Sequence, residues 1–274
     1  MSVKDEYLAY RDGHGLKTGV FVDRVALQQL LRDRLEAIWS ERPQFSNGGL
    51  LSNYMTGLAL GFAYYDCRPS GFCKSRCYGL PIAGLHDYYM LRLGVITSEA
   101  LKTGDQRFLI PLVRKLHALR PLVLKIGHWG DAVPQQVQHV AGVVQQFPAT
   151  KFWWYTRKLE VALAGNKIDL PNLRVYLSLD PTTVFPRNEE YPYGITYLFG
   201  DSLRHTDHAA ILADPRLVAV FPLKVRSHVE ENAHREVVRH PRLCIEKDRA
   251  ATHHSKGEHL CYSCSGRCNF AYAP

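Results

Sequence analysis

The chain has no long apolar run: no stretch reaches the ~18 consecutive apolar residues that a membrane-spanning helix requires, which predicts a protein without a membrane partner. Its first residues, MSVKDEYLAYRDG, are charged and carry no apolar segment of the secretory type. The expected location is the cytoplasm, or the host cytoplasm if the chain is phage-encoded. An even cysteine count is also missing, and seven cysteines cannot all pair as disulfides. In a reducing compartment clustered cysteines more often bind metal. There is no internal repeat, no low-complexity tract, no run of five basic residues, and no homeodomain, zinc-finger or RNA-recognition signature. The net charge of +8 and pI near 9.1 are therefore spread along the chain. They permit a nucleotide or nucleic-acid partner without marking a face for it.

What is present suffices for a large core: 274 residues, 46% of them hydrophobic. Residues 24–39 carry Val25, Leu27, Leu30, Leu31, Leu35 and Ile38 at helical spacing, and Pro43 with the Asn47-Gly48-Gly49 turn ends that pattern. The Gly-, Pro- and Ser-rich segment from Cys67 to Gly79 reads as a loop. Helices are expected near 83–103 and 105–119, jointed at Gly104 and Asp105. From Pro121 the rhythm changes. Strands are expected at Leu122–Ile126, closed by Gly127, then at Lys151–Thr156, Leu173–Leu179 and Leu217–Lys224. Between them fall helices at Val133–Phe147, Arg157–Ala164 and Asp207–Ala213. Strands alternating with helices imply βα units on a parallel sheet. The expected fold is α/β, a partial or compact (β/α) barrel over residues 1–243 with an N-terminal helical extension. Residues 244–274 form a cysteine-rich tail without periodicity.

The cysteines fall into two groups. The front one is Cys67-x5-Cys73-x3-Cys77, within DCRPSGFCKSRCYG. Three thiolates on one loop can cap three corners of a [4Fe-4S] cubane and leave the fourth iron open to a small ligand. A zinc site completed by another side chain and a set of buried structural cysteines are the competing readings. The rear group, Cys244-x16-Cys261-x2-Cys264-x3-Cys268, can close a tetrahedral zinc site or saturate a four-iron cluster. His253, His254 and His259 lie within it, either as a replacement ligand or as exposed loop residues.

Other candidates sit at the predicted strand ends. Asp131 follows Gly130, where barrel enzymes place working residues, and also where the next helix needs an N-cap. His128 is a proton carrier or a packed, hydrogen-bonded residue. Asp180 before Pro181 closes a turn or binds a ribose hydroxyl. Tyr155-Thr156-Arg157 offers a hydroxyl and a guanidinium suited to a carboxylate or phosphate, although Arg157 is equally the exposed start of a helix. Trp153, Trp154 and Tyr155 read as core, with one alternate face of the strand free to line a pocket.

The order of these pieces resembles the radical S-adenosylmethionine (SAM) superfamily. It has a three-cysteine loop with a neighbouring aromatic, here Cys77-Tyr78, and a glycine-rich acidic turn, here Gly127-His128-Trp129-Gly130-Asp131. Leu177-Ser178-Leu179-Asp180 is similar to the Ser-Leu-Asp at a later strand end in that superfamily. The spacing differs, with five and three intervening residues in place of three and two. The resemblance implies a [4Fe-4S] cluster on Cys67, Cys73 and Cys77 and SAM held by Tyr78, Gly127, Gly130, Asp131, Thr156, Arg157, Ser178 and Asp180. It further implies a 5′-deoxyadenosyl radical as oxidant, catalytic roles for Asp131, His128 and Asp180, and an electron donor such as a flavodoxin or ferredoxin. The chain also resembles the bacteriophage family Gene Product Eighty-Eight over roughly residues 45 to 270. The pieces carrying that likeness are Cys67/Cys73/Cys77-Tyr78, His128-x-Gly130-Asp131, Phe152 to Arg157, Asn172 to Asp180 and the cysteine tail; they bear on architecture more than on reaction. Two rival functions remain open. Cys261-Tyr262-Ser263-Cys264 with Asn269 to Tyr272 is similar to the zinc motif of tRNA-guanine transglycosylases, which would make Asp180 or Asp131 a nucleophile. A non-catalytic, metal-stapled nucleic-acid binder needs only the charge and the cysteines.

Overall fold

The structure is a computed structural model that describes residues 1–41, 49–53, 57–75, 77, 87–199 and 208–222. The rear cysteines, their intervening histidines and Tyr78 lie outside the described residues, as do 83–86 of the predicted helix and 223–224 of the last predicted strand.

Three helices lead in: α1 (Val3–Gly13), α2 (Phe21–Asp33) and α3 (Leu35–Ser40). The single helix expected over 24–39 is broken at Arg34, whose φ of −108° leaves the helical region. Helix α1 starts on a reciprocal cap, with the Ser2 hydroxyl accepting from the Asp5 amide and the Asp5 carboxylate accepting from the Ser2 amide. Strands β1 (Leu51–Asn53) and β2 (Gly57–Leu60) follow, then a 3₁₀ turn at Tyr64–Asp66 and helix α4 (Gly71–Ser75). The segment expected to be loop from Cys67 onward thus contains a short helix. The Ser70 hydroxyl starts it by accepting from the Cys73 amide at 3.0 Å.

Helices α5 (Asp87–Thr103) and α6 (Gln106–Leu119) meet at Gly104, whose φ of +72° makes the sharp joint. The βα rhythm then runs β3 (Val123–Ile126), α7 (Pro134–Gln145), β4 (Lys151–Thr156), α8 (Leu159–Asn166), β5 (Leu173–Leu179), β6 (Ile195–Phe199), α9 (His208–Ala213) and β7 (Leu217–Pro222). Among the described residues no helix is long and apolar enough to cross a membrane.

The sheet order is β1-β2-β3-β4-β5-β6-β7; β1 is antiparallel to β2, and β2 through β7 are six parallel strands in chain order. A doubly wound sheet reverses its order at a switch point. This order never reverses, so right-handed crossovers stack the connecting helices on one face. The sheet is open, with β1 and β7 at its edges. Burial on both sides accounts for the nearly continuous apolar strands. On the helix-covered face Leu124, Ile126, Phe152, Trp154, Val175 and Leu177 join the main core; Val123, Trp153, Tyr176 and Val218 form a smaller cluster on the other. Burying a side chain such as Phe152 or Trp154 contributes about 1.5–3 kcal/mol. The parallel arrangement brings the C-terminal ends of β2 through β5 to one rim, and the loops leaving that rim carry most of the candidate residues.

Candidate functional site

A cleft opens on that rim, with about 570 Å³ of free space counted out through its mouth. Cys67, Cys73 and Cys77 all line it, together with Asp131, Arg157 and Ser178 from the ends of β3, β4 and β5. Tyr64, Trp129 and Tyr155 supply its apolar walls. Residues more than a hundred positions apart share this cavity because most of them lie at or just beyond the C-terminal ends of parallel strands.

Two glycines fix the turn after β3. Gly127 and Gly130 have φ of +78° and +69°, and a Cβ at Gly130 would stand 2.1 Å from the Phe62 carbonyl oxygen. Only glycine allows the turn to lie so close to the chain that leaves β2. The contact is sealed by the Phe62 amide donating to the Trp129 carbonyl and the His128 amide donating to that of Leu60, each at 2.8 Å. The path toward Cys67 and the glycine turn are thus one rigid unit.

Asp131 is buried at the end of this turn. Its Oδ1 accepts from the Ala132 amide at 2.8 Å and the Thr156 hydroxyl at 2.7 Å, and its Oδ2 accepts from the Arg157 amide at 3.0 Å. Burial pushes its pKa up against those hydrogen bonds and the nearby Lys158 charge. Asp131 ties β3 to β4 and is not the cap of α7, which starts instead with the Val133 amide donating to the Gln136 side chain at 2.9 Å.

Asp180 holds the opposite wall. Its Oδ2 accepts from Ser70 Oγ and from Arg157 Nη1, both at 2.5 Å, and its Oδ1 accepts from the Thr182 amide, the Thr182 hydroxyl and the Thr183 hydroxyl. Burial raises its pKa, but the Ser70 hydroxyl, the Arg157 guanidinium and Thr182 outweigh it and hold the carboxyl below its ordinary value. Because Ser70 also caps α4, Asp180 anchors the cysteine segment to β5.

The thiols are electrostatically strained. Burial raises the Cys67 pKa well above a normal thiol, helped by the Asp131 charge and the two other cysteines and opposed by Lys158. Burial also lifts Cys73 to about 11, opposed by Arg157. Such thiols stay protonated near neutrality unless a cation displaces the proton. Among the described residues no group of three or more His, Cys, Asp or Glu side chains is spaced to hold a metal ion. The front cysteines share a cleft wall without closing on a single-ion position.

The site gathers Cys67, Cys73, Cys77, Gly127, Gly130, Asp131, Thr156, Arg157 and Ser178 along the cleft, with Asp180 directly behind Arg157. His128 is buried and does not line it; its ring packs against Trp129 at 5.3 Å. Burial and the Lys125 charge depress its pKa to about 4, so it is neutral at pH 7. Two residues of the site have no reading from sequence alone: Ser70, whose one local signal is its position as a cap before Gly71, and Lys158, which carries none.

Fold and cleft together define an α/β protein with six parallel strands and a three-cysteine cleft at their C-terminal rim. Residues 30–191, more than half of the chain, match the family Gene product 88, and the chain belongs to that family. The matched span holds every site residue from Cys67 to Asp180. No curated protein and no solved structure matches the chain.

Proposed function

We propose that the protein is an iron–sulfur enzyme of the radical SAM type, in which Cys67, Cys73 and Cys77 hold a [4Fe-4S] cluster in a partial barrel. One observation carries the reading: the three thiols open on the same cleft as the glycine turn, Arg157 and Ser178. The donor set fits, because three cysteine thiols on one short segment are the ligand type an iron–sulfur cluster takes, and burial keeps Cys67 and Cys73 protonated until a cation displaces the proton. The segment supplies three thiols, the number that caps a cubane with one open iron, whereas a closed structural zinc site takes four ligands. When bound, such a cluster would supply the one electron, drawn from an external reductant, that breaks the C5′–S bond of SAM into methionine and a 5′-deoxyadenosyl radical.

The chain's own groups would position the cofactor. The backbone of Gly127 to Gly130 lets a ligand approach without side-chain obstruction. Arg157, with one nitrogen engaged by Asp180, presents its remaining N–H groups to a carboxylate. Ser178 offers a hydroxyl, and Tyr155 and Trp129 exclude water along the walls. Asp131 holds the Arg157 backbone in place and Thr156 that of Lys158, while Asp180 sets the Arg157 side chain. Neither carboxylate is poised as a nucleophile, since both oxygens of each already accept hydrogen bonds. That weighs against a base-exchange reaction through Asp131 or Asp180. A flavodoxin or ferredoxin fits as reductant, the tail cysteines fit a second [4Fe-4S] cluster or zinc, and a nucleotide or nucleic-acid substrate suits the basic charge.

The test is SAM turnover. Anaerobically purified, iron-reconstituted protein with dithionite and SAM is expected to release 5′-deoxyadenosine and methionine, detected by chromatography. Absence of both products from iron-loaded protein would refute the proposal.

A further inference from the structure

We infer that Lys158 is a positioning residue, a buried latch that locks the backbone preceding Cys67 to the glycine turn. Lys158 follows β4 and its side chain is 4% exposed. Its ammonium donates to the Asp66 carbonyl and, at 2.6 Å, to the Ala132 carbonyl. Those carbonyls belong to the residue just before Cys67 and the residue just after Asp131. One cation therefore joins the loops after β2, β3 and β4. Asp66 is gripped a second time through its side chain, where Oδ1 accepts from Lys102 at 2.8 Å.

A buried ammonium is costly unless its N–H groups and charge are satisfied. Both acceptors are neutral carbonyls, and among the described residues no carboxylate makes an ion pair with Lys158. Its charge offsets the rise in pKa that burial imposes on Cys67 and Asp131. The geometry divides labour between two anchors. Lys158 holds the Cys67 end of the cysteine segment, and the Ser70–Asp180–Arg157 chain holds Cys73. The value of that rigidity for metal holding rests on the proposed function; the latch itself does not.

The experiment separates the two. Full-length protein, purified reduced in the presence of an iron chelator, is labelled with iodoacetamide at fixed pH, and Cys67 and Cys73 are quantified by mass spectrometry. Labelling proceeds from the locally opened segment, where the thiol is solvated and beyond the reach of the Lys158 charge, so Lys158→Met is expected to speed Cys67 labelling about tenfold relative to Cys73, since a lost charged hydrogen-bond pair makes local opening that much easier. Lys158→Arg is expected to stay within about twofold of the native ratio. A merely structural defect exposes both thiols alike and leaves their ratio unchanged. If Lys158→Met does not fold, Lys158→Gln serves, with about a threefold shift expected because neutral donors bond less strongly than charged ones. An unchanged Cys67-to-Cys73 ratio in a folded Met or Gln variant overturns the inference. No iron enters this assay, so failure of the radical SAM reading leaves its outcome intact.

Discussion

Replacing Gly130 with alanine tests how tightly the glycine turn is pinned. At φ of +69°, alanine takes a left-handed backbone costing about 1–2 kcal/mol. Its Cβ would also stand 2.1 Å from the Phe62 carbonyl oxygen, where ordinary contact begins at 3.4 Å. Both partners are backbone, so no side chain can swing aside. Relief requires the turn or the β2 exit to move by roughly 1 Å, which disturbs the two 2.8 Å hydrogen bonds between them, each worth about 1 kcal/mol. The sum is about 3–4 kcal/mol, a large part of the ~5–15 kcal/mol that holds a typical domain together. Guanidinium denaturation followed by circular dichroism should show a lower midpoint with an unchanged slope. Gly142→Ala in α7 is the control: nothing lies within 4 Å of its Cβ position, and alanine there should stabilise by about 0.5–1 kcal/mol. A Gly130→Ala protein within about 1 kcal/mol of native would refute the close approach of turn and strand.

Three further outcomes follow from the site. Asp131→Asn keeps one accepting oxygen and sets an amide N–H against the donors on the other side, either the Arg157 amide or the Ala132 amide and Thr156 hydroxyl, and should cost about 2–3 kcal/mol in thermal unfolding. His128, held neutral with a pKa of about 4 against 6.5 unfolded, should lower stability as pH falls through that window by up to about 1.4 kcal/mol per unit; His128→Gln should flatten the slope in urea titrations. Asp180, with its pKa depressed, stabilises the fold above the ordinary value of 3.8 and loses that contribution as pH drops through its lower folded value, so Asp180→Asn should weaken the protein at pH 7 and reduce its acid sensitivity.

Much of the sheet could be read from local pattern. Lys151–Thr156 and Leu173–Leu179 were legible to the residue because dense β-branched and aromatic runs, buried on both faces, have no competing period. Strands β1, β2 and β6 were not, since short segments such as GLAL and ITYLF acquire strand identity only from their neighbours in the sheet. Helix α1 went unread because its stretch is strongly polar and its Ser2–Asp5 cap is the main local signal. Within the site, the cysteines, the glycine turn and the Asp180 strand end announced themselves by residue type. The roles did not: Asp131 reads equally as a working residue or a helix cap and forms a tie between strands, and of the two readings of His128, proton carrier or packed residue, the structure shows the packed one, against Trp129. Lys158 carried no signal at all, because a lysine's burial is decided by loops distant in sequence.

The most direct test of the central claim is electron paramagnetic resonance of anaerobically reduced protein with and without SAM. Native protein and a tail variant, Cys264→Ala, should show an iron–sulfur signal that changes when SAM is added. Cys67→Ala, Cys73→Ala and Cys77→Ala should each abolish that SAM response while leaving any signal from the tail cysteines. A signal untouched by all three front substitutions, or a colourless protein holding only zinc, would contradict the account.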